Sequence, residues 1–227
     1  LGMIDSTTAT QSLTSALKGF KLEAADAMSV VDKLTAIDLK AATSAGDIAQ
    51  GLSQFANIGS LAGVDIDQAA YVATIADVTQ MSGASAGQSL KTIISRYGNV
   101  KAGAYNQLNI DSEGGDTSEN LNDVEKVLSK IGISIRDSNL EFKDFDDVLG
   151  EIADKWNSLD NVSKRAIAGA FAGIRQQESF LTLLSNWDKY EELLNVSRSS
   201  AGTAEIKYQS VRESLEASIN KLQVTIE

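Results

Sequence analysis

Residues Gly83-Ala84-Ser85-Ala86-Gly87 match the G-x-S-x-G pattern of a nucleophile elbow. A serine on such an elbow attacks only when a positioned base, a histidine in that fold, removes its proton. The 227 residues contain no His and no Cys. The triad therefore falls, and with it imidazole acid–base catalysis, thiol nucleophiles, disulfides and zinc sites built on His or Cys. Carboxylates, a Ser–Lys pair, or Mg²⁺ or Ca²⁺ held by oxygen atoms stay open as chemistry.

A second stretch has ligand-like spacing. Asn109, Asp111, Glu113 and Gly114 fall where the first half of an EF-hand loop has its ligands and its glycine. The first position is Asn, however, and the twelfth is Asn120 in place of a bidentate Glu, so the segment reads as a solvated loop. No catalytic, cofactor-binding or metal-binding residue is assigned, and no cofactor is expected.

The elements around these stretches explain them without chemistry. An elbow needs a strand running into its turn, but residues 64–81 read as helix. Ser85 fits a helix N-cap with Gln88 completing a capping box, followed by the apolar stripe Leu90, Ile93, Ile94, Tyr97. Ser44 with Asp47 and Asp65 with Gln68 repeat that cap logic. Helices are predicted after them, carrying Ile48, Leu52, Phe55, Ile58 and then Ala69, Val72, Ile75, Val78. Earlier helices are expected at about 8–19 and 23–40.

With 17 Gly and no Pro, glycine and capping side chains supply the punctuation. Four regions result: a first helical half at 1–108, an acidic glycine-containing loop at 109–120, a second helical half at 121–198, and a long helix at 199–227. In the second half, Leu121, Val124, Leu128 and Ile131 mark a helix ended by Gly132. The alternation of Ile133, Ile135, Leu140 and Phe142 around Asp-Ser-Asn predicts a short β-hairpin at 133–142. Asp144 is the expected cap of a helix bearing Phe145, Val148, Leu149, Ile152, Trp156 and Leu159. Gly169 and Gly173 stand four apart in AIAGAFAGI, a spacing that predicts close helix–helix approach. Phe180, Leu184, Trp187 and Leu194 line a further helix. From Thr203 onward there is no glycine, and Tyr208, Val211, Leu215, Ile219, Leu222 and Ile226 alternate threes and fours, approximating a coiled-coil seam. The fold class is all-α: a compact multi-helix module with one short hairpin and a long C-terminal helix leading into a coiled coil.

Composition bounds the partners. A net charge of −11 and a pI near 4.5 argue against a dedicated nucleic-acid or anionic-membrane binder. No run reaches the roughly 18 apolar residues of a membrane span. An apolar content of 43% suffices for a real core. The chain opens on Leu1 and stops inside its last helical pattern, so it reads as an excerpt of a longer polypeptide.

SLKTIISR at 89–96 resembles the LKTI-type segment of tape-measure proteins from long-tailed bacteriophages and prophages. VVDKL at 30–34, TSAGDIA at 43–49 and AGVDID at 62–67 resemble the same family's core-region module, in the same order. So do GISIRDSNLEF at 132–142, FDDVLGEIADKW at 145–156 and AGIRQQESFLTLLSNW at 172–187, together covering about residues 1–195. One departure is Leu140, where the family often has glycine in the hairpin turn. The resemblance implies a structural, non-enzymatic virion protein that occupies the tail tube and sets tail length by its own length. It implies other copies of itself, tail-tube and tail-tip or baseplate proteins, and tail-assembly chaperones as partners. It also implies residence in the tail lumen, with assembly in the host cytoplasm. Lys91 with Arg96, and Arg175 with Gln176 and Gln177, match the family pattern; their plainer reading is a solvated face and a hydrogen-bonded bracket over a helix end. Two alternatives of other classes are a carboxylate-based peptidoglycan hydrolase domain and a helical adaptor or membrane-active module.

Overall fold

The computed structural model describes residues 6–98, 123–138 and 141–226. The acidic loop at 109–120 and Leu140 lie outside the described residues. Ten α-helices occur among those described: α1 Ser6–Gly19, α2 Ala27–Asp38, α3 Ala45–Leu61, α4 Ala69–Thr79, α5 Gly83–Tyr97, α6 Asp123–Ser129, α7 Phe145–Trp156, α8 Asn161–Ser185, α9 Trp187–Arg198 and α10 Thr203–Ile226. The protein is all-α.

Capping side chains decide several starts. Ser44 Oγ accepts the Asp47 amide at 3.1 Å and starts α3. Asp65 Oδ1 accepts the Asp67 amide while Gln68 Oε1 accepts the Asp65 amide, a reciprocal box on a 3₁₀ turn that leads into α4. Asp160 Oδ1 accepts the amides of Val162 and Ser163 at 2.8 and 2.9 Å and starts α8. Asp144 holds the cap position of α7 but makes no side-chain cap bond.

The cap of α5 is Ser82, not Ser85. Ser82 Oγ accepts the Ser85 amide at 3.2 Å, so Ser85 belongs to the first turn. The reason lies in packing. A Cβ on Gly83 would overlap the Asp47 carbonyl of α3, and one on Gly87 would overlap the Gly51 carbonyl. A Cβ on Gly51 would in turn lie 2.6 Å from the Gly83 carbonyl oxygen and 2.5 Å from Val72 Cγ1. Gly83 and Gly87 form one small-residue row, four apart, pressed on Asp47 and Gly51, also four apart. The glycines that imitate an elbow are the contact surface between two helices. The same contact was expected from Gly169 and Gly173, and there it is not found. Gly173 has φ +62 and ψ −178, a backbone break inside α8 rather than a helix contact.

The expected hairpin at 133–142 is absent. There is no strand among the described residues, and Arg136 and Phe142 make a single isolated antiparallel bridge. Ile133 and Ile135 are buried as their alternation implied. The local polar side chains compete for the backbone, however: Ser134 Oγ accepts the Arg136 amide and Asp137 Oδ1 accepts the Glu141 amide. Lys143 N still donates to Ile135 O at 2.9 Å, and two residues later α7 begins. A ladder of this length cannot grow into strands. One predicted helix is also split: the stripe from Phe180 to Leu194 crosses Asn186, whose side-chain amide donates to Thr182 O at 2.8 Å and separates α8 from α9.

A single core joins residues from both sides of the acidic loop, including Leu52, Phe55, Ile75, Leu90 and Ile94 with Phe145, Ile152, Phe171, Phe180 and Leu193. At its centre the Tyr97 ring stacks on Phe171 at 6.3 Å and meets Phe145 edge-on at 5.3 Å, while Phe171 stacks on Phe180 at 4.7 Å. Thr74, fully buried on α4, keeps its hydroxyl without a partner.

Two substitutions check this packing by urea denaturation. Gly87→Ala, at a contact made of backbone, is expected to destabilise by about 1–3 kcal/mol or more. Thr74→Val removes an unpaired buried hydroxyl and is expected to leave stability unchanged or raise it, by about 1–3 kcal/mol at most.

Candidate functional site

Ser85 has no reaction geometry. It is exposed in the first turn of α5, and its hydroxyl accepts from Ser82 Oγ at 3.0 Å. Among the described residues no group of three or more acidic side chains is placed to hold a metal ion.

The break in α8 is more informative. Carbonyls just before a helix break have no amide four residues on to satisfy them. Arg96, from α5, fills that role: its Nε donates to Ala170 O at 2.8 Å, and a terminal nitrogen lies 3.5 Å from Gly169 O. The guanidinium also sits where the helix dipole is negative. Beyond the break, Gln176 Oε1 accepts from Ser89 Oγ at 2.9 Å. One helix thus holds both flanks of the kink. Of the matched sets, Arg96 and Gln176 each bond across this interface, Gln177 is half-buried, and Lys91 and Arg175 are exposed. Ile174, next to the break, is 91% exposed.

A second polar site was not legible in the sequence. Tyr71 from α4 and Tyr190 from α9 stack at 4.5 Å with rings 14° apart. Both hydroxyls donate to the same Asp146 Oδ1 on α7. Burial first, then the charges of Tyr190 and Asp146, pushes the Tyr71 hydroxyl well above its ordinary value of 10.0. Burial and then Asp146 push Tyr190 up in the same direction. Both phenols sit inside the core and, through Asp146, tie α4, α7 and α9 together. No periodic signal links positions 71, 146 and 190. A polar ring in an otherwise apolar stripe was the only hint.

The third site is an open groove of about 360 Å³ between α2 and α10, lined by Met28, Val31, Thr35, Ala204, Tyr208 and Val211 among others. Met28 is 59% exposed, Tyr208 63% and Val211 52%, and Ile206 on the same helix is 70% exposed. Met28, Tyr208 and Val211 thus leave an exposed apolar patch along this groove. A family model described as phage-related minor tail protein matches residues 1–173. The chain belongs to that family.

Membership in the phage-related minor tail protein family places the chain among phage tail proteins. The matched segment contains the α3–α5 contact, Arg96, Tyr71 and Asp146 and ends at the Gly173 break. Tyr190 and α10 lie beyond it. No solved structure matches the chain. No described helix is long and apolar enough to cross a membrane.

Arg96→Ala is expected to cost about 1.5 kcal/mol in urea melts, the low end for a hydrogen bond to a charged group because Arg96 is half-buried. Lys91→Ala, on the exposed face of the same helix, is expected to stay within about 0.5 kcal/mol. A separate outcome concerns pH. The raised Tyr71 and Tyr190 hydroxyls keep protons in the folded state that the unfolded chain releases above pH 10.0. Their contribution is therefore fully present below that value and is lost as pH rises above it. Tyr190→Phe is expected to make the alkaline fall in stability shallower by about 1.4 kcal/mol per pH unit.

Proposed function

We propose that this chain is a folded helical node of a tail tape-measure protein, acting in assembly by shape and packing and carrying no reaction centre. The observation that carries the reading is the contrast within the chain. Nine helices, among those described, contribute to or pack against one body, while α10 leaves that body with Ile206, Tyr208 and Val211 exposed. A ruler needs length proportional to residue number, which a straight helix supplies at about 1.5 Å per residue and a packed body does not. The node would lie at one end of such a ruler, and α10 would be the junction. The sequence seam Tyr208, Val211, Leu215, Ile219, Leu222, Ile226 favours a coiled coil with other copies of the same chain. Tail-tube and tail-tip or baseplate proteins and assembly chaperones are the remaining partners of this reading. Its location is the tail lumen, reached from the host cytoplasm during assembly.

Two measurements test it. In small-angle scattering, a compact body of this size has a radius of gyration near 17 Å, whereas 200 residues of continuous helix would extend on the order of 300 Å. A profile of the 227-residue chain dominated by a long rod would remove the node. In the parent phage, lengthening α10 by about 44 helical residues is expected to lengthen tails by about 66 Å in electron micrographs. Tails of unchanged length would argue against the ruler. Loss of turbidity from cell walls treated with the purified chain, abolished by replacing one carboxylate, would replace both with a hydrolase.

A further inference from the structure

Helix α10 begins where the chain offers it no cap of its own. The residue before Thr203 is Gly202, which has no side chain, and its φ of +78 turns the backbone sharply. Thr203 uses its hydroxyl as a donor to Ser200 O at 2.6 Å. The first amides of a helix need acceptors from elsewhere when no local side chain reaches them. Here the acceptor comes from 170 residues away: Asp32 on α2 takes the Gly202 amide on Oδ2 and the Ala204 amide on Oδ1, both at 2.9 Å. Both carboxylate oxygens are engaged, and their charge faces the positive end of the helix dipole.

One more contact binds the same crossing, and a polar cluster beside it ties α2 to the helix that precedes α10. Lys207 Nζ lies 2.7 Å from Asp38 Oδ2, about four residues further along α10 and six along α2. Just upstream, Ser197 Oγ donates to Asp67 Oδ1 at 2.7 Å, and the same oxygen pairs with Lys33 Nζ at 2.5 Å. The apolar part of the junction is by contrast incomplete, since Met28, Tyr208 and Val211 remain more than half exposed. Packing alone leaves the direction of α10 underdetermined; the polar contacts supply what the groove lacks.

We infer that Asp32 is the N-cap of α10 supplied from α2 of the same chain, and that with Asp38 it fixes the direction in which α10 leaves the helical body. The junction is then a rigid mount. Body and rod turn together, and tension along α10 is delivered to α2, whose Val30, Leu34 and Ile37 are seated in the core. This inference stands on the junction's own hydrogen bonds and holds whether or not the protein measures tail length.

The lack of native cysteine allows paired spin labels at two introduced cysteines, Gln54→Cys on α3 and Ser210→Cys on α10, both exposed. A narrow distance distribution is expected in the chain with Asp32 intact, and a clearly broader or displaced one with Asp32→Ala. Amide hydrogen exchange gives a second readout. The Gly202 and Ala204 amides are expected to exchange about 2- to 30-fold faster in Asp32→Ala, the span of a helix cap. The Leu34 and Ile37 amides are expected not to change. Should Asp32→Ala fail to fold, Asp32→Asn, which keeps one acceptor oxygen, is expected to broaden the distribution to a smaller degree. A broad distribution with Asp32 intact, or distributions and exchange rates that coincide with and without the carboxylate, would overturn the mount.

Discussion

Helices α3 and α5 touch backbone to backbone, and the rest of the body is arranged around that contact. Gly51, Gly83 and Gly87 leave no room there for a single methyl group on either helix. Because the two axes are held so close, α5 can present Leu90, Ile93, Ile94 and Tyr97 to the core and still expose Lys91 on its far side. The same closeness fixes the axial position of α5. Ser82 becomes the cap because Gly83 must already be inside the helix, and Ser89 and Arg96 then stand opposite the break in α8. A pattern shared with hydrolase elbows is here a consequence of packing.

Where the chain interrupts its own hydrogen bonding, a distant polar side chain completes it. Arg96 takes the carbonyls left open before Gly173, and Asp32 takes the amides left open before α10. Asp146 takes two buried phenols at once. For the buried phenols, leaving a donor unpaired would cost about 1–3 kcal/mol per group; the Arg96 and Asp32 contacts are part-buried or exposed and complete helix ends instead. Thr74 is an exception among the described residues, and it is a neutral hydroxyl, far less costly to leave unpaired than a charge. These polar groups join helices that are far apart in sequence.

That body belongs to a phage tail family. The polar residues Lys91, Arg96, Arg175 and Gln176 divide between an internal bracket and a solvent face. Arg96 and Gln176 are explained by the kink they span, which leaves Lys91, Arg175 and the exposed Ile174 as the surface of that region. The apolar groove beside α10 is another surface that packing leaves open among the described residues.

Much of this could be read along the chain, and the division has a physical basis. Helix periodicity is local: Ile48, Leu52 and Phe55, or Val148, Leu149 and Ile152, lie on one face whatever they pack against, so the all-α class and most helices followed from spacing. The missing histidine and cysteine disposed of whole classes of chemistry for the same reason, since absence needs no geometry. Which glycine row would meet another helix was not local. Gly83 with Gly87 and Gly169 with Gly173 have identical spacing, and only the presence of α3 against the first made one a contact and the other a hinge-like break. The hairpin failed likewise, because alternation reports burial, whereas a strand needs a partner long enough to pair with. The Tyr71–Asp146–Tyr190 clamp and the Asp32 cap join residues 44 to 172 positions apart. Only the folded chain brings such residues together, because their attraction exists at hydrogen-bond distance and leaves no period in the sequence.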